Sequence, residues 1–146
     1  MSSMAEIKIS ELSIGDWINQ KINDGAYQVQ WIEREKVGLI KYTGTEEDGS
    51  IRLTAVPLSF IEPIPLTPEI LEKNGFRKLD RFNEYVIGEW DSNPFIAVRL
   101  AEKFVEPTIL VKNGGTSAHL FGSRGEYVHQ LQNALRLAGV EKEIEL

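Results

Sequence analysis

The sequence contains no cysteine, and only two of its 146 residues are histidines. Without thiols the chain cannot form disulfides, thiolate nucleophiles, iron–sulfur clusters or the common structural zinc sites. His119 and His129 fall in different predicted elements, so a metal site would have to recruit carboxylates from elsewhere in the chain. We therefore predict that the protein holds no metal ion and no other cofactor.

The sequence also lacks a long apolar run and an excess of basic charge. No run approaches the length of a membrane span, and the N-terminus has no signal-peptide pattern, which predicts a cytoplasmic protein without a membrane partner. The net charge is −6, with 6 Lys+Arg against 10 Asp+Glu in residues 1–64 and 10 against 12 in residues 65–146. Because phosphates are bound mainly through Lys and Arg, this balance disfavours nucleic-acid binding.

The first half of the chain predicts five short strands, because β-branched and aromatic residues concentrate in separate segments. The segments are the run that Trp17 opens and residues 27–33, 37–42, 51–55 and 61–64. Asn-Asp-Gly at 23–25 and Asp-Gly at 48–49 supply hairpin-turn chemistry, and a tight turn precedes the last strand. This order resembles SH3-like barrels, so we predict such a barrel over residues 7–64.

Alternating prolines at 63, 65 and 68 predict a domain boundary, because they favour extended backbone and cannot donate to a sheet. Thr67 suits an N-cap, Pro68 suits the first helical position and Asn74-Gly75 suits a helix end, which together predict a short helix over residues 67–74. Strands are predicted over residues 76–79, 85–90, 95–100, 108–112 and 117–121, as an antiparallel meander.

A longer helix is predicted near the C-terminus. Ser123 and Glu126 have the spacing of a capping box, and Gly139 stands where a left-handed C-terminal cap belongs. Six residues share its apolar side: Tyr127, Val128, Leu131, Ala134, Leu135 and Ala138. We expect this side to cover the meander, so that residues 65–146 form an α-β-β-β-β-α unit packed on the first, and the whole chain is α+β.

Two groups of residues are candidates for partner contact. His129, Gln132, Asn133 and Arg136 form a polar stripe at helical spacing, which indicates either a ligand-binding surface or an ordinary solvated face. Five aromatic residues indicate either an aromatic groove or part of the barrel core: Trp17, Trp31, Trp90, Tyr27 and Tyr42. From these groups we select Trp17, Trp31, His129 and Arg136 as the predicted partner-binding residues.

No catalytic motif is found. The glycine-rich segments do not have the spacing of a phosphate-binding loop or a dinucleotide fingerprint, and no nucleophile-elbow pattern occurs. The sequence therefore favours a non-enzymatic module that binds a protein partner. Two alternatives stay open: a weak nucleic-acid binder that uses Lys73, Arg77, Lys78 and Arg81, and a hydrolase that combines His129 with carboxylates from the sheet.

Two stretches carry a resemblance to a known group of proteins. Residues 62–71 read Glu-Pro-Ile-Pro-Leu-Thr-Pro-Glu-Ile-Leu, and residues 127–133 read Tyr-Val-His-Gln-Leu-Gln-Asn. With the start Leu-Ser-Ile-Gly-Asp-Trp-Ile at 12–18, they resemble an uncharacterised family of small proteins from gut anaerobic bacteria and their phages. The resemblance implies a setting in a phage or mobile element, and it brings no activity.

Overall fold

The computed structural model describes residues 7–21, 25–42, 50–81 and 83–146, so the predicted turns at 23–24 and 48–49 lie outside the described residues. The chain divides into two compact units, residues 1–64 and 65–146. Each unit contains a five-stranded antiparallel sheet, and the predicted α+β class is confirmed. No helix in the described ranges has the length and apolar character needed to cross a membrane.

The first unit is one sheet that curls into a half-barrel, with strand order β4-β3-β2-β1-β5. Its strands are β1 (Trp17–Gln20), β2 (Gly25–Glu33), β3 (Lys36–Tyr42), β4 (Ser50–Pro57) and β5 (Ile61–Glu62). Two 3₁₀ turns, Ile9–Glu11 and Leu58–Phe60, precede β1 and β5. The inner face buries an apolar cluster: Ile7, Leu12, Ile18, Tyr27, Val29, Val37, Leu39, Val56 and Ile61.

Two irregularities in strand pairing flank Gly38 on β3. The pairing of β2 with β3 shifts register between Val29 and Trp31, and the pairing of β3 with β4 shifts between Val37 and Leu39. Bulges on both neighbours of one strand increase its local twist and bend. Gly38 lies between the two shifts, where the absence of a side chain allows close packing.

The second unit is a meander with strand order β10-β9-β8-β7-β6. Its elements are α1 (Pro68–Lys73), β6 (Arg77–Lys78), β7 (Glu84–Ile87), β8 (Phe95–Arg99), β9 (Thr108–Asn113), β10 (Thr116–Phe121), a 3₁₀ turn at Gly122–Arg124 and α2 (Val128–Leu137). The sheet has five strands, one for each of the five predicted segments, so the predicted α-β-β-β-β-α order counts one strand too few. How the two units pack stays a prediction.

Helix α2 covers one face of the meander through its apolar side. Val128, Leu131, Ala134 and Leu135 are all buried, and α2 packs on β9 and β10. The predicted cap is confirmed: Gly139 has a φ of +74°, and the Val140 N–H donates to the Leu135 carbonyl at 2.8 Å. This hydrogen bond is the one that closes a Schellman motif, in which glycine avoids the steric cost of a left-handed backbone.

The predicted start of α2 is wrong. Ser123 lies in the 3₁₀ turn, and the helix begins at Val128, with Tyr127 as its N-cap. Extended backbone at Tyr127 delays the helix. The preceding segment is held by the Leu66 N–H, which donates to the Glu126 carbonyl at 2.9 Å, and by the bridge of Pro65 to Tyr127. Gln130 caps the helix instead: its Oε1 accepts the Glu126 N–H at 2.9 Å and the Tyr127 N–H at 3.0 Å.

The short helix α1 begins and ends as the sequence predicts. The Thr67 Oγ1 accepts the Ile70 N–H at 3.2 Å, which confirms Thr67 as its N-cap. At the other end the buried Asn74 side chain holds the C-terminal segment. Its Nδ2 donates to the Glu145 carbonyl at 2.7 Å, and its Oδ1 accepts the Glu145 N–H at 2.8 Å.

Candidate functional site

Trp17 and Trp31 lie on the same face of the half-barrel. Trp17 pairs with Gln28, and its chain neighbour Ile18 belongs to the inner core, so Trp17 points to the outer face. Trp31 is followed by Ile32, which packs on that core, so Trp31 also points outward. Both indoles are half-buried. The two tryptophans therefore share an outer surface on neighbouring strands, as a predicted aromatic contact surface requires.

Trp31 has a structural task on this surface. It pairs with Gly38 on β3, and a Cβ built on Gly38 would fall 2.0 Å from the Trp31 Nε1. The indole therefore lies directly on the glycine backbone at the bend of the sheet, where it shields the gap between the two bulges. A partner can contact only the part of the Trp31 ring that does not pack on Gly38.

The polar stripe on α2, for which the sequence left a ligand-binding surface and a solvated face open, is buried at two of its four members. His129 is 1% exposed and Gln132 is 8% exposed, whereas Arg136 is exposed. Arg136 donates from Nη1 to the Asn133 Oδ1 at 2.6 Å. The periodicity places these side chains on one side of the helix correctly, but only Asn133 and Arg136 reach the surface. His129 is therefore not available to a partner in this structure.

The basic segment at 73–81 has partners inside its own unit. Arg77 donates to the Gly88 carbonyl at 2.9 Å and forms an ion pair with Glu89 at 3.2 Å. Arg81 lies 3.5 Å from the Glu84 carboxylate, and Lys73 donates to a main-chain carbonyl of Leu146. Lys78 donates to the Leu79 carbonyl at 3.2 Å. The ion pairs of Arg77 and Arg81 offset part of the positive charge that the segment can offer to phosphates, whereas the carbonyl contacts of Lys73 and Lys78 leave their charge unchanged.

The second unit contains a cleft with a volume of about 470 Å³. It lies where α1 begins, β8 ends and the segment before α2 passes. Its lining is mainly apolar: Pro65, Leu66, Pro68, Leu100, Ala101, Pro107, Gly125 and Tyr127, with Asn83 and Glu126 as the polar members. A mostly apolar lining with a few polar groups is typical of ligand and peptide sites.

The walls of the cleft are held by backbone hydrogen bonds. The Leu100 N–H donates to the Asn83 carbonyl at 2.9 Å, and the Leu66 N–H donates to the Glu126 carbonyl at the same distance. A Cβ on Gly125 would lie 3.2 Å from the Leu120 carbonyl oxygen, so this glycine lets the lining segment approach the edge of the sheet. The cleft is therefore a preformed feature of the fold.

A small hairpin adjoins the cleft and projects an aromatic ring. Glu102 and Val105 exchange backbone hydrogen bonds of 3.2 and 2.9 Å, with Lys103 and Phe104 at the turn between them. Phe104 is 94% exposed and has a φ of +70°. A positive φ at this turn position favours glycine, so a bulky side chain there is strained. The hairpin begins after Ala101 and ends before Pro107, which both line the cleft.

Glu126 and Tyr127 give the cleft its polar character. Burial, and after it the nearby Glu126 carboxylate, raises the pKa of Tyr127 above its ordinary value of 10.0. The cleft therefore presents the phenol of Tyr127 beside the carboxyl group of Glu126. An aromatic ring next to a carboxylate can attract a cation through both the ring and the charge.

The cleft does not bring His129 together with carboxylates, the arrangement that the hydrolase alternative requires. The residues that line the cleft include one carboxylate, Glu126, and His129 is not among them. The rings of Tyr127 and His129 stack with centroids 6.2 Å apart. Among the described residues, no group of three or more His, Cys, Asp and Glu side chains is placed to hold a metal ion.

The sequence predictions missed the cleft because its lining comes from five separate stretches of chain, 65–68, 83, 100–101, 107 and 125–127. The sequence assigns Pro65 to the domain boundary and Pro68 to that boundary and to the start of the short helix. The segment 101–107 falls between two predicted strands. One signal was available there: Phe104 is an aromatic residue among Glu102, Lys103 and Glu106, which indicates an exposed ring in a polar loop.

Comparison of this chain with protein-family models, with curated proteins and with solved structures yields no match. The chain is thus defined by its fold, an α+β protein of two units with a curled half-barrel and a helix-covered meander. The resemblance to small proteins of gut anaerobes and phages stays a prediction.

Proposed function

We propose that this protein is a non-enzymatic, cytoplasmic interaction module that docks a protein partner on the cleft and the adjoining hairpin of its second unit. The observation that carries the proposal is Phe104, which is 94% exposed and held at a φ of +70° beside an apolar cleft. Strained backbone at a bulky residue costs about 1–3 kcal/mol and is concentrated at functional sites. Association with a partner would bury the ring that folding leaves in water.

The position of Phe104 favours a macromolecular partner over a small ligand. Phe104 is not one of the residues that line the cleft. A small molecule confined to the cleft would therefore leave the ring in water, whereas a protein segment that continues beyond the cleft can cover both. Exposed aromatic residues next to a preformed apolar pocket are typical anchors of protein interfaces.

Affinity capture with matched baits tests this function. The baits are the wild-type protein, Phe104→Ser and Phe121→Ser, each tagged and incubated with lysate of the native host with and without nuclease. Phe121 is a suitable control because it is also exposed, at 56%, and lies on β10 outside the cleft lining. Both variants remove one exposed ring, and quantitative mass spectrometry reads the captured proteins.

We expect a nuclease-resistant partner that is enriched by the wild type and by Phe121→Ser and is reduced at least about tenfold by Phe104→Ser, since an aromatic hot spot contributes 2 kcal/mol or more. A partner that all three baits retain equally would contradict docking at this site. Capture that nuclease abolishes would favour nucleic-acid binding instead.

A further inference from the structure

The charges in and beside the cleft point to the chemistry of the segment that enters it. Glu126 is the one titratable carboxylate among the lining residues. The adjoining hairpin adds Glu102 and Glu106, and its cation, Lys103, lies over the Phe104 ring with Nζ 5.4 Å from the centroid. The surface that a partner meets is therefore apolar with a negative bias.

The apolar lining and the carboxylate select different parts of the same ligand. Pro65, Pro68 and Pro107 have rigid rings and no N–H to donate, so they offer apolar contact without hydrogen bonds. Glu126 is half-buried, which makes it costly to cover unless a cation or a donor meets it. An apolar segment without a basic residue would leave the Glu126 carboxylate unpaired, and an acidic segment would be repelled by this carboxylate.

We propose that the cleft binds an extended, apolar segment of a partner protein that carries a lysine or arginine, with the cation placed between the Glu126 carboxylate and the Tyr127 ring. This inference rests on the proposed docking function and adds the chemical class of the docked segment. Arginine suits the site well, because its planar guanidinium can stack on an aromatic ring while it donates to a carboxylate.

A random peptide library displayed on phage is the probe for this inference. It is selected against the wild-type protein, Glu126→Gln and Glu106→Gln. Glu126→Gln keeps the shape of the side chain and removes its charge, and the carbonyl that accepts the Leu66 N–H belongs to the backbone, so the fold is retained. Glu106→Gln is the matched control, because Glu106 lies on the hairpin and outside the lining.

We expect peptides selected by the wild type and by Glu106→Gln to carry Lys or Arg within an apolar segment. Peptides selected by Glu126→Gln should keep the apolar segment without a basic residue. The best peptide is then synthesised with Arg and with the neutral isostere citrulline. The wild type should bind the Arg peptide about tenfold more tightly than the citrulline peptide, since one charge-assisted contact contributes about 1.4 kcal/mol. Glu126→Gln should bind the two peptides with equal affinity.

Selected peptides without a basic residue, a preference for Arg that survives in Glu126→Gln, or a failure to select any peptide would overturn the inference. These outcomes are independent of the proposed function, which the Phe104→Ser and Phe121→Ser baits decide. The two proposals can therefore fail separately. If only Phe104→Ser loses the partner but the wild type binds the Arg and citrulline peptides equally, the docking site is supported and its specificity for a basic residue is contradicted.

Discussion

The indole of Trp31 occupies the space that a side chain at Gly38 would need, because a Cβ there would lie 2.0 Å from Nε1 and 2.3 Å from Cε2. The two residues face each other across β2 and β3, between the register shifts that bend the half-barrel. A tryptophan that packs on a cross-strand glycine shields its backbone and fixes the local bend of the sheet. This contact makes Trp31 a structural residue first.

Gly38→Ala should therefore lower the free energy of unfolding by about 1–3 kcal/mol, the usual cost of overpacking. Urea denaturation measures the change. Gly115→Ala is the control, because nothing lies within 4 Å of a Cβ at that glycine, and its effect should stay within about 0.5 kcal/mol. In a Trp31→Ala background Gly38→Ala should be near neutral; an equal cost in both backgrounds would show that the two residues are not coupled.

The second prediction concerns the cap of α2. Gln130→Ala should lower the free energy of unfolding by about 1–3 kcal/mol, since it leaves the Glu126 and Tyr127 N–H groups and the Ser123 carbonyl without the side chain that they contact. Thermal unfolding reads the change. Leu137→Ala, on the same helix but 68% exposed, should change stability by no more than about 0.5 kcal/mol. Equal effects would argue against the capping role.

The third prediction concerns the clamp between α1 and the C-terminal segment. Asn74→Ala should expose the Glu145 amide to hydrogen exchange, because its acceptor, the Asn74 Oδ1, is removed. Asn74→Asp keeps an oxygen at that position and should preserve the protection of this amide while it loses the donor to the Glu145 carbonyl. Exchange measured by NMR distinguishes the two variants. Protection that persists in Asn74→Ala would contradict the clamp.

The fourth prediction concerns alkaline pH. Burial raises the pKa of Tyr127 and of Tyr85, in Tyr85 with a further rise from Glu72 and Glu69. A group whose pKa is higher in the folded state contributes stability that is fully present below its unfolded pKa of 10.0 and is lost as pH rises through the folded pKa.

The contribution of these tyrosines to the free energy of unfolding should therefore stay constant up to about pH 10 and fall at higher pH. Tyr127→Phe and Tyr85→Phe should each reduce the fall, which denaturant titrations at a series of alkaline pH values measure. A steeper fall in either variant would contradict the sign of the shift.

Local sequence signals located most elements of both sheets, since β-branched runs, turn glycines and helix caps act within a few residues. Thr67 and Gly139 cap their helices as the sequence predicts. The start of α2 was beyond such signals, because it depends on Pro65 and Leu66 pairing with residues about 60 positions later in the chain. Trp90, predicted to end a strand, lies instead in the turn after β7, which ends at Ile87.

The site residues show the same limit. Helical spacing shows that His129 and Arg136 share a side of α2, but it does not show what covers that side, and only the structure reveals that His129 is buried. The cleft was not predictable, because five stretches of chain meet there only in the folded protein. The charged neighbours of Phe104 indicate from the sequence that its ring is exposed, but nothing in the sequence indicates its positive φ.

Amide chemical-shift mapping tests the central claim most directly. The ¹⁵N-labelled protein is titrated with the partner segment that capture or peptide selection provides. Docking at the cleft predicts shifts at the amides of Asn83, Ala101, Phe104 and Tyr127, with little change at Trp17 or Trp31. Shifts confined to the outer face around Trp17 and Trp31, with the amides of the cleft unchanged, would contradict the account and assign the interaction to the half-barrel.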